Sequence, residues 1–141
     1  MAHKPRVLFL CTGNSCRSQM AEGWAHHLRG DDFQAFSAGI EKHGLNPRAV
    51  LAMKEVGVDI TRQRSQLLSE LDLDFDLVVT VCGHAHESCP NFNSRAKVVH
   101  VGFDDPPLLS KNARDDEEAM SHYRRVRDEI RAFVAALKFD S

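Results

Sequence analysis

Apolar positions along the chain fall into two kinds of pattern. Near-continuous apolar runs occur at Val7–Leu10, Leu77–Val81 and Val98–Val101, and runs of this kind, rich in valine, mark strands buried on both faces of a parallel sheet. A weaker run from Phe33 to Ala38 predicts a fourth strand. Between and after these runs the period lengthens. Met20, Trp24 and Leu28 recur on one face after Ser18. Asn46-Pro47 reads as an N-cap followed by proline in the first turn, with Val50 and Met53 behind it and Gly57 as the stop. Ala119, Tyr123, Val126, Ile130, Phe133 and Leu137 alternate by four and three, which predicts a long amphipathic helix closing the core. Strands alternating with helices imply an α/β fold, here a four-stranded parallel sheet with helices on both faces. Nothing resembling a linker or repeat divides residues 1–141, which are read as a single domain. Ligands of such sheets bind beyond the carboxyl ends of the strands. Cys11, Cys82 and Asp104-Asp105 all fall at those ends.

Composition narrows the function classes. The 141 residues are 43% hydrophobic and 27% charged, and 18 basic against 20 acidic side chains leave a net charge of -2. Such a balance gives no electrostatic reason to expect nucleic acid or an anionic membrane as a partner, so any attraction for anions must be local. The apolar run after Arg6 is too short for a signal-peptide core, and no stretch approaches the roughly 18 apolar residues that span a bilayer. A cytoplasmic protein is expected. In that compartment the four cysteines, Cys11, Cys16, Cys82 and Cys89, point to metal binding or catalysis rather than to a disulfide framework.

The segment Cys11-Thr12-Gly13-Asn14-Ser15-Cys16-Arg17-Ser18 follows the first strand and opens the first helix at Ser18. A cysteine followed six positions later by arginine is a weak signal alone; its place between a buried strand and a helix sharpens it. Backbone N–H groups of such a loop converge at a helix N-terminus and form a site for a tetrahedral oxyanion. Arg17 adds a planar fork able to hold two oxygens. A helix terminus and a nearby cation also favour thiolate over thiol, so Cys11 is the candidate nucleophile. Thr12 to Ser18 are the candidate oxyanion-binding residues, and Cys16 within them is read as a small packing residue.

Cys11 to Gly23, CTGNSCRSQMAEG, resembles the thioredoxin-coupled arsenate reductases, which are built on the low-molecular-weight protein tyrosine phosphatase fold. Ser37-Ala38-Gly39, Asn46-Pro47 and Asp104-Asp105-Pro106 match the same family, and the resemblance runs from the first strand to the last helix. It implies reduction of arsenate to arsenite for detoxification, with phosphate or sulfate as analogues, in a monomer that binds no cofactor and no metal. Asp105, adjacent to Pro106, would be the acid that protonates the departing oxygen; Asp104, or a purely turn-capping role for both, is the alternative. In the implied relay Cys11 attacks arsenate, Cys82 resolves the adduct as a Cys11–Cys82 disulfide, and Cys89 moves the disulfide outward to reduced thioredoxin, the electron donor.

Two rivals use the same residues differently. Cys82, His84, His86 and Cys89 are chemically acceptable to zinc, but their spacing is not a common zinc pattern. A low-molecular-weight protein tyrosine phosphatase would use Cys11, Arg17 and Asp105 identically, yet would be expected to carry aromatic residues where this chain has Pro107-Leu108-Leu109. Some members of the reductase family hold a monovalent cation through an asparagine, a glutamate and a later aspartate. Asn14 and Glu22 match the first two, but Arg64-Ser65-Gln66 offers no carboxylate. No potassium is expected, with the Arg64 guanidinium replacing the cation or the place left empty.

The relay carries a geometric consequence. As one helix, residues 82–89 would hold the Cys82 and Cys89 Cα atoms roughly 10 Å apart, whereas a disulfide needs about 4.4–6.8 Å. The segment therefore cannot be the same stable helix in both redox states, and Gly83 is the expected hinge. Amide exchange of residues 83–90 is expected to differ between reduced and oxidised protein; equal protection in the two states would rule this out.

Overall fold

The computed structural model describes residues 4–41, 43–71, 74–81 and 97–138. Each predicted apolar run becomes a strand: β1 (Arg6–Cys11), β2 (Gln34–Gly39), β3 (Leu77–Thr80) and β4 (Lys97–His100). All pair in parallel, in the order β2-β1-β3-β4. β1, buried beyond Arg6, sits between β2 and β3. Its side chains alternate between two cores, as the pleat requires. Val7, Phe9 and Cys11 enter the larger core with Met20, Trp24, Met53 and Ile130. Leu8 and Leu10 enter a smaller one with Ala38, Phe75 and Val78, against which Leu68 and Leu71 pack.

Among the described residues there are four helices, α1 (Arg17–Arg29), α2 (Pro47–Glu55), α3 (Pro106–Ser110) and α4 (Asp116–Ala136), and the longer period accounts for α1, α2 and α4. Met20 and Trp24 on α1 and Tyr123, Val126 and Ile130 on α4 are buried against one another and the sheet. The indole N–H of Trp24 donates to the carbonyl of Arg127 (3.1 Å), tying the two helices. On the smaller-core side the described residues supply one 3-10 turn, Leu68–Glu70. No described helix is long and apolar enough to cross a membrane.

Two details depart from expectation. The Val98–Val101 run is not buried on both faces, because β4 is the last described strand of the order and Val98 is 49% exposed. The segment after Asp105 is a short helix, α3, rather than only a stiffened turn. Pro106 can open it because a helix's first N–H groups lack intrahelical partners anyway. Prediction and structure agree closely at α2. The Asn46 side chain accepts from the N–H groups of Arg48 (2.9 Å) and Ala49 (3.2 Å), Pro47 occupies the first turn, and Gly57 follows the helix in the left-handed region at φ +82°.

Asn46 also donates from Nδ2 to the Tyr123 hydroxyl (3.1 Å), so it joins α2 to α4 as well as capping. Asn46→Ala is expected to lower stability by about 1–2 kcal/mol, and Asn46→Ser, which keeps a capping oxygen, to recover most of that. Urea unfolding of the three proteins reads the difference; equal midpoints would mean the cap contributes nothing.

Candidate active site

β1 ends at Cys11 and α1 begins at Arg17, so the intervening residues turn in a tight loop at the carboxyl end of the sheet. The loop is held by its carbonyls. Thr12 O accepts from the N–H groups of Ile40 (3.0 Å) and Glu41 (2.9 Å), Gly13 O from the His43 N–H (3.1 Å), and Ser15 O from the Asn46 N–H (3.1 Å). The Ser65 hydroxyl also donates to Gly13 O (3.1 Å), and Gln19 Nε2 to Asn14 O (3.0 Å). In a trans peptide the C=O and the following N–H point in opposite directions. Carbonyls tied outward at 12, 13, 14 and 15 thus turn the amides of 13 to 16 the other way, into the loop. No side chain caps the N-terminus of α1 and no acid occupies its first turn, so its donors are not spent internally. The arrangement suits a tetrahedral anion.

The contact with β2 is close enough to exclude a side chain. A Cβ on Gly39 would lie 2.7 Å from Thr12 O and 2.8 Å from the Asn14 amide nitrogen. Asn14 takes the left-handed conformation, φ 48°, which asparagine tolerates better than most residues. Its side chain stabilises that choice: Oδ1 accepts from the Gln66 N–H (2.7 Å), and Nδ2 donates to Ser18 Oγ (2.9 Å). Ser18 Oγ in turn lies 2.9 Å from Cys11 Sγ. With Cys11 as thiolate, only the Ser18 hydroxyl can donate in that pair. Asn14, Ser18 and Cys11 thus form a buried chain whose donors run toward the sulfur. Ser18 lies inside α1, one residue beyond its start, and serves the sulfur rather than opening the helix.

Arg17, buried apart from a tenth of its side chain, reaches across the carboxyl ends of the sheet. Nη1 donates to Phe103 O (3.0 Å) and Val81 O (3.4 Å), and Nη2 lies 3.8 Å from Asp105 Oδ1. Asp105 precedes α3 without its side chain capping it, so its carboxylate is left to face Arg17. The neighbouring Asp104 turns away and pairs with Arg125 on α4 (2.9 Å). A cavity of about 510 Å³ opens over this group, lined by Cys11, Arg17 and Asp105 with His43, Asn46 and Pro107 among others. Burial pushes the Cys16 thiol far up from its ordinary value, the Asp105 carboxylate adding to the effect. Cys16 is therefore a protonated, packed side chain, as small buried cysteines are. Cys82, His84, His86 and Cys89 lie outside the described residues. Val81, the last described residue before Cys82, donates its N–H to Leu10 O (2.9 Å) beside the end of β1.

Residues 6–139 match the low molecular weight phosphotyrosine protein phosphatase family. The chain is 55% identical over 129 residues to an arsenate reductase of Halalkalibacterium halodurans, covering 91% of each chain. It belongs to this family, in its arsenate reductase group. An arsenate reductase of Bacillus subtilis is 54% identical over 125 residues, 88% of each chain. A solved structure described as an arsenate reductase in the phosphate binding state superposes with a TM-score of 0.77 at 31% identity, covering 92% of this chain and 93% of the other.

Within this arsenate reductase group, the residues that could hold a cation do not fit one here. Asn14 Oδ1 is taken by the Gln66 N–H, Glu22 Oε1 accepts from the Ser37 hydroxyl (2.5 Å), and positions 64–66 add no negative charge. The Arg64 guanidinium is not the stand-in. Arg64 is exposed and contributes its carbonyl, which accepts from Gln19 Nε2 (3.0 Å). His43 was not singled out by motif or spacing. Gln19 was read only as part of the loop-to-helix segment, and Gln66 only as part of Arg64-Ser65-Gln66, where a carboxylate is missing.

Burial raises the Glu22 carboxyl above its ordinary value, against the lowering effects of the Ser37 hydroxyl and of His26. A carboxyl raised on folding adds stability that is fully present below the unfolded value of about 4.3 and lost as pH rises through the folded one. Wild type is therefore expected to lose stability relative to Glu22→Gln between pH 4 and pH 7.5, as read by urea midpoints. A wild type that gained on the variant over that range would show that the charged form is the favoured one.

Proposed function

We propose that the protein reduces arsenate to arsenite through a three-cysteine relay regenerated by thioredoxin, an activity that serves arsenic detoxification. The observation that carries this reading is the convergence of Cys11, Arg17 and Asp105 on one cavity, with Ser18 behind the sulfur, in a chain 54–55% identical to two arsenate reductases over 125–129 residues. The inward amides of the loop bind the oxyanion, with Arg17 turning its fork from main-chain carbonyls to two of the oxygens. The Cys11 thiolate attacks arsenic, and one oxygen leaves as water with a proton supplied by Asp105. This forms a Cys11–arsenic bond with arsenic still pentavalent.

Reduction follows when Cys82 attacks the Cys11 sulfur. The sulfur–arsenic bond breaks, its electron pair stays on arsenic, and arsenite departs, leaving a Cys11–Cys82 disulfide. Cys89 then attacks Cys82, freeing Cys11 and forming a Cys82–Cys89 disulfide, which the dithiol of thioredoxin reduces. Two thiols are oxidised for each arsenic that gains two electrons. The position of Val81 beside the end of β1 supports the second step, since Cys82 is its covalent neighbour. Asp105 rather than Asp104 is the acid in this reading, because Asp104 is engaged by Arg125 on the outer surface.

The test is arsenate-dependent NADPH consumption with thioredoxin and thioredoxin reductase. Wild type is expected to turn over repeatedly. Cys11→Ser, Cys82→Ser and Cys89→Ser are each expected to fall by at least about a hundredfold, with Cys89→Ser still completing a single turnover on pre-reduced protein. Absence of arsenate turnover, with aryl-phosphate hydrolysis surviving Cys82→Ser, would make the protein a phosphatase.

A further inference from the structure

The charges lining the cavity do not favour the anion the loop is built to hold. Arg17 is a cation, but the Asp105 carboxylate lies 3.8 Å from its guanidinium and offsets it. A tetrahedral dianion entering there meets little net positive charge from that pair, and the loop amides must supply most of the attraction. Among the described residues lining the cavity, Arg17 and His43 alone can carry positive charge.

His43 is held in position by three contacts. Its N–H donates to Gly13 O (3.1 Å). Its ring lies against the α-carbon of Gly13, where a Cβ would stand 2.3 Å from Nδ1 and 2.8 Å from Cγ. Glycine at position 13 is thus what allows the imidazole to rest on the loop. The third contact is Nε2, 2.8 Å from Glu41 Oε2. A carboxylate only accepts, so Nε2 carries a hydrogen, and a second proton on Nδ1 makes the ring a cation beside Gly13. Glu41 is itself anchored to the loop through its N–H to Thr12 O (2.9 Å). The same strap that turns the loop amides inward therefore also places a titratable ring at the rim.

We propose that His43, oriented by Glu41, is the second cationic residue of the oxyanion site and sets its affinity for tetrahedral dianions. The inference rests on the oxyanion reading of the Cys11–Arg17 loop. It makes His43 a binding residue, with its effect in KM and not in kcat, since the ring stands at the rim and not at the sulfur.

The test is calorimetric binding of inorganic sulfate to the reduced, full-length protein at pH 6.5 and low ionic strength, where sulfate stays a dianion. His43→Phe keeps an aromatic ring on Gly13 and removes the charge; it is expected to weaken sulfate binding about fivefold. His43→Lys restores a cation and is expected to stay within about twofold of wild type. The gap between wild type and His43→Phe is expected to close in 0.5 M sodium chloride, because an exposed charge is screened, whereas a packing role would not respond to salt. Under the proposed activity, His43→Phe raises KM for arsenate by a similar factor and leaves kcat unchanged. Sulfate binding by His43→Phe equal to wild type, with Arg17→Ala abolishing it, would overturn the His43 assignment and leave the loop reading intact. Failure of wild type itself to bind sulfate would overturn both.

Discussion

The structure depends on the outward tethering of four consecutive carbonyls. Between Cys11 and Arg17 side chains hold the loop at Asn14, bonded to the Gln66 N–H and Ser18 Oγ, and at the packed Cys16. What fixes its course is that Thr12, Gly13, Asn14 and Ser15 each present a carbonyl to a donor on another segment: the strap after β2, Ser65, Gln19 and the amide of Asn46. Peptide planarity then leaves the intervening amides no choice but to face inward. An anion site built this way is preorganised, because its donors are aligned by bonds that exist whether or not an anion is present. The requirement reaches outward. Gly39 must lack a side chain because β2 abuts the loop, and Asn14 must accept a left-handed backbone that its amide then secures from both ends.

The acid side of the cavity follows from a different constraint. Asp105-Pro106 ends the run after β4 and starts α3, and Pro107 at the second helical position removes one of the donors that a capping aspartate would otherwise satisfy. The carboxylate of Asp105 is left over, and Arg17 is the cation within reach. Asp104, one residue earlier, points to the opposite side and is consumed by Arg125. Adjacent aspartates in an extended segment project to opposite faces, so the parity of the chain leaves only Asp105 of the pair facing Arg17.

Much of this was legible in the sequence, and the parts that were not share a cause. Strands and helices came through because their periodicities are local and strong, and the capping at Asn46-Pro47 was predictable because a cap involves residues two or three apart. The place of Cys11 and Asp104-Asp105 at the carboxyl end of the sheet followed from topology, and Arg17 from its position in the loop after Cys11. β4 was misjudged as doubly buried because valines in an edge strand read like valines in a central one. The parts played by Gln66 and His43 at the loop escaped notice because each acts through its own main-chain N–H on a partner distant in sequence, such as the Gln66 N–H on Asn14 Oδ1 across 52 positions. A bond of that kind leaves no trace in residue type or spacing, since any residue supplies an N–H; Gln19 instead uses its side chain, on carbonyls of Asn14 and Arg64 that any residue would present.

The division between shared and particular parts of the chain follows the same line. The loop, its strap and the Asp-Pro turn can hold any tetrahedral oxyanion over a sulfur nucleophile, and nothing in their geometry distinguishes phosphorus from arsenic. Phosphoryl transfer ends with water attacking the adduct, whereas reduction needs a second sulfur to take the place of that water. Discrimination must therefore come from what reaches Cys11 after the first step. β3 runs beside β1 in register and delivers Val81 to the end of the nucleophile's own strand. Any residue one peptide beyond Val81 starts from that position, and here it is a cysteine. Arg17 binds the carbonyl of Val81 at 3.4 Å, so the guanidinium beside the loop also holds the strand end to which Cys82 is joined. An oxyanion drawing on that guanidinium would do so at the cost of its contact to the strand end.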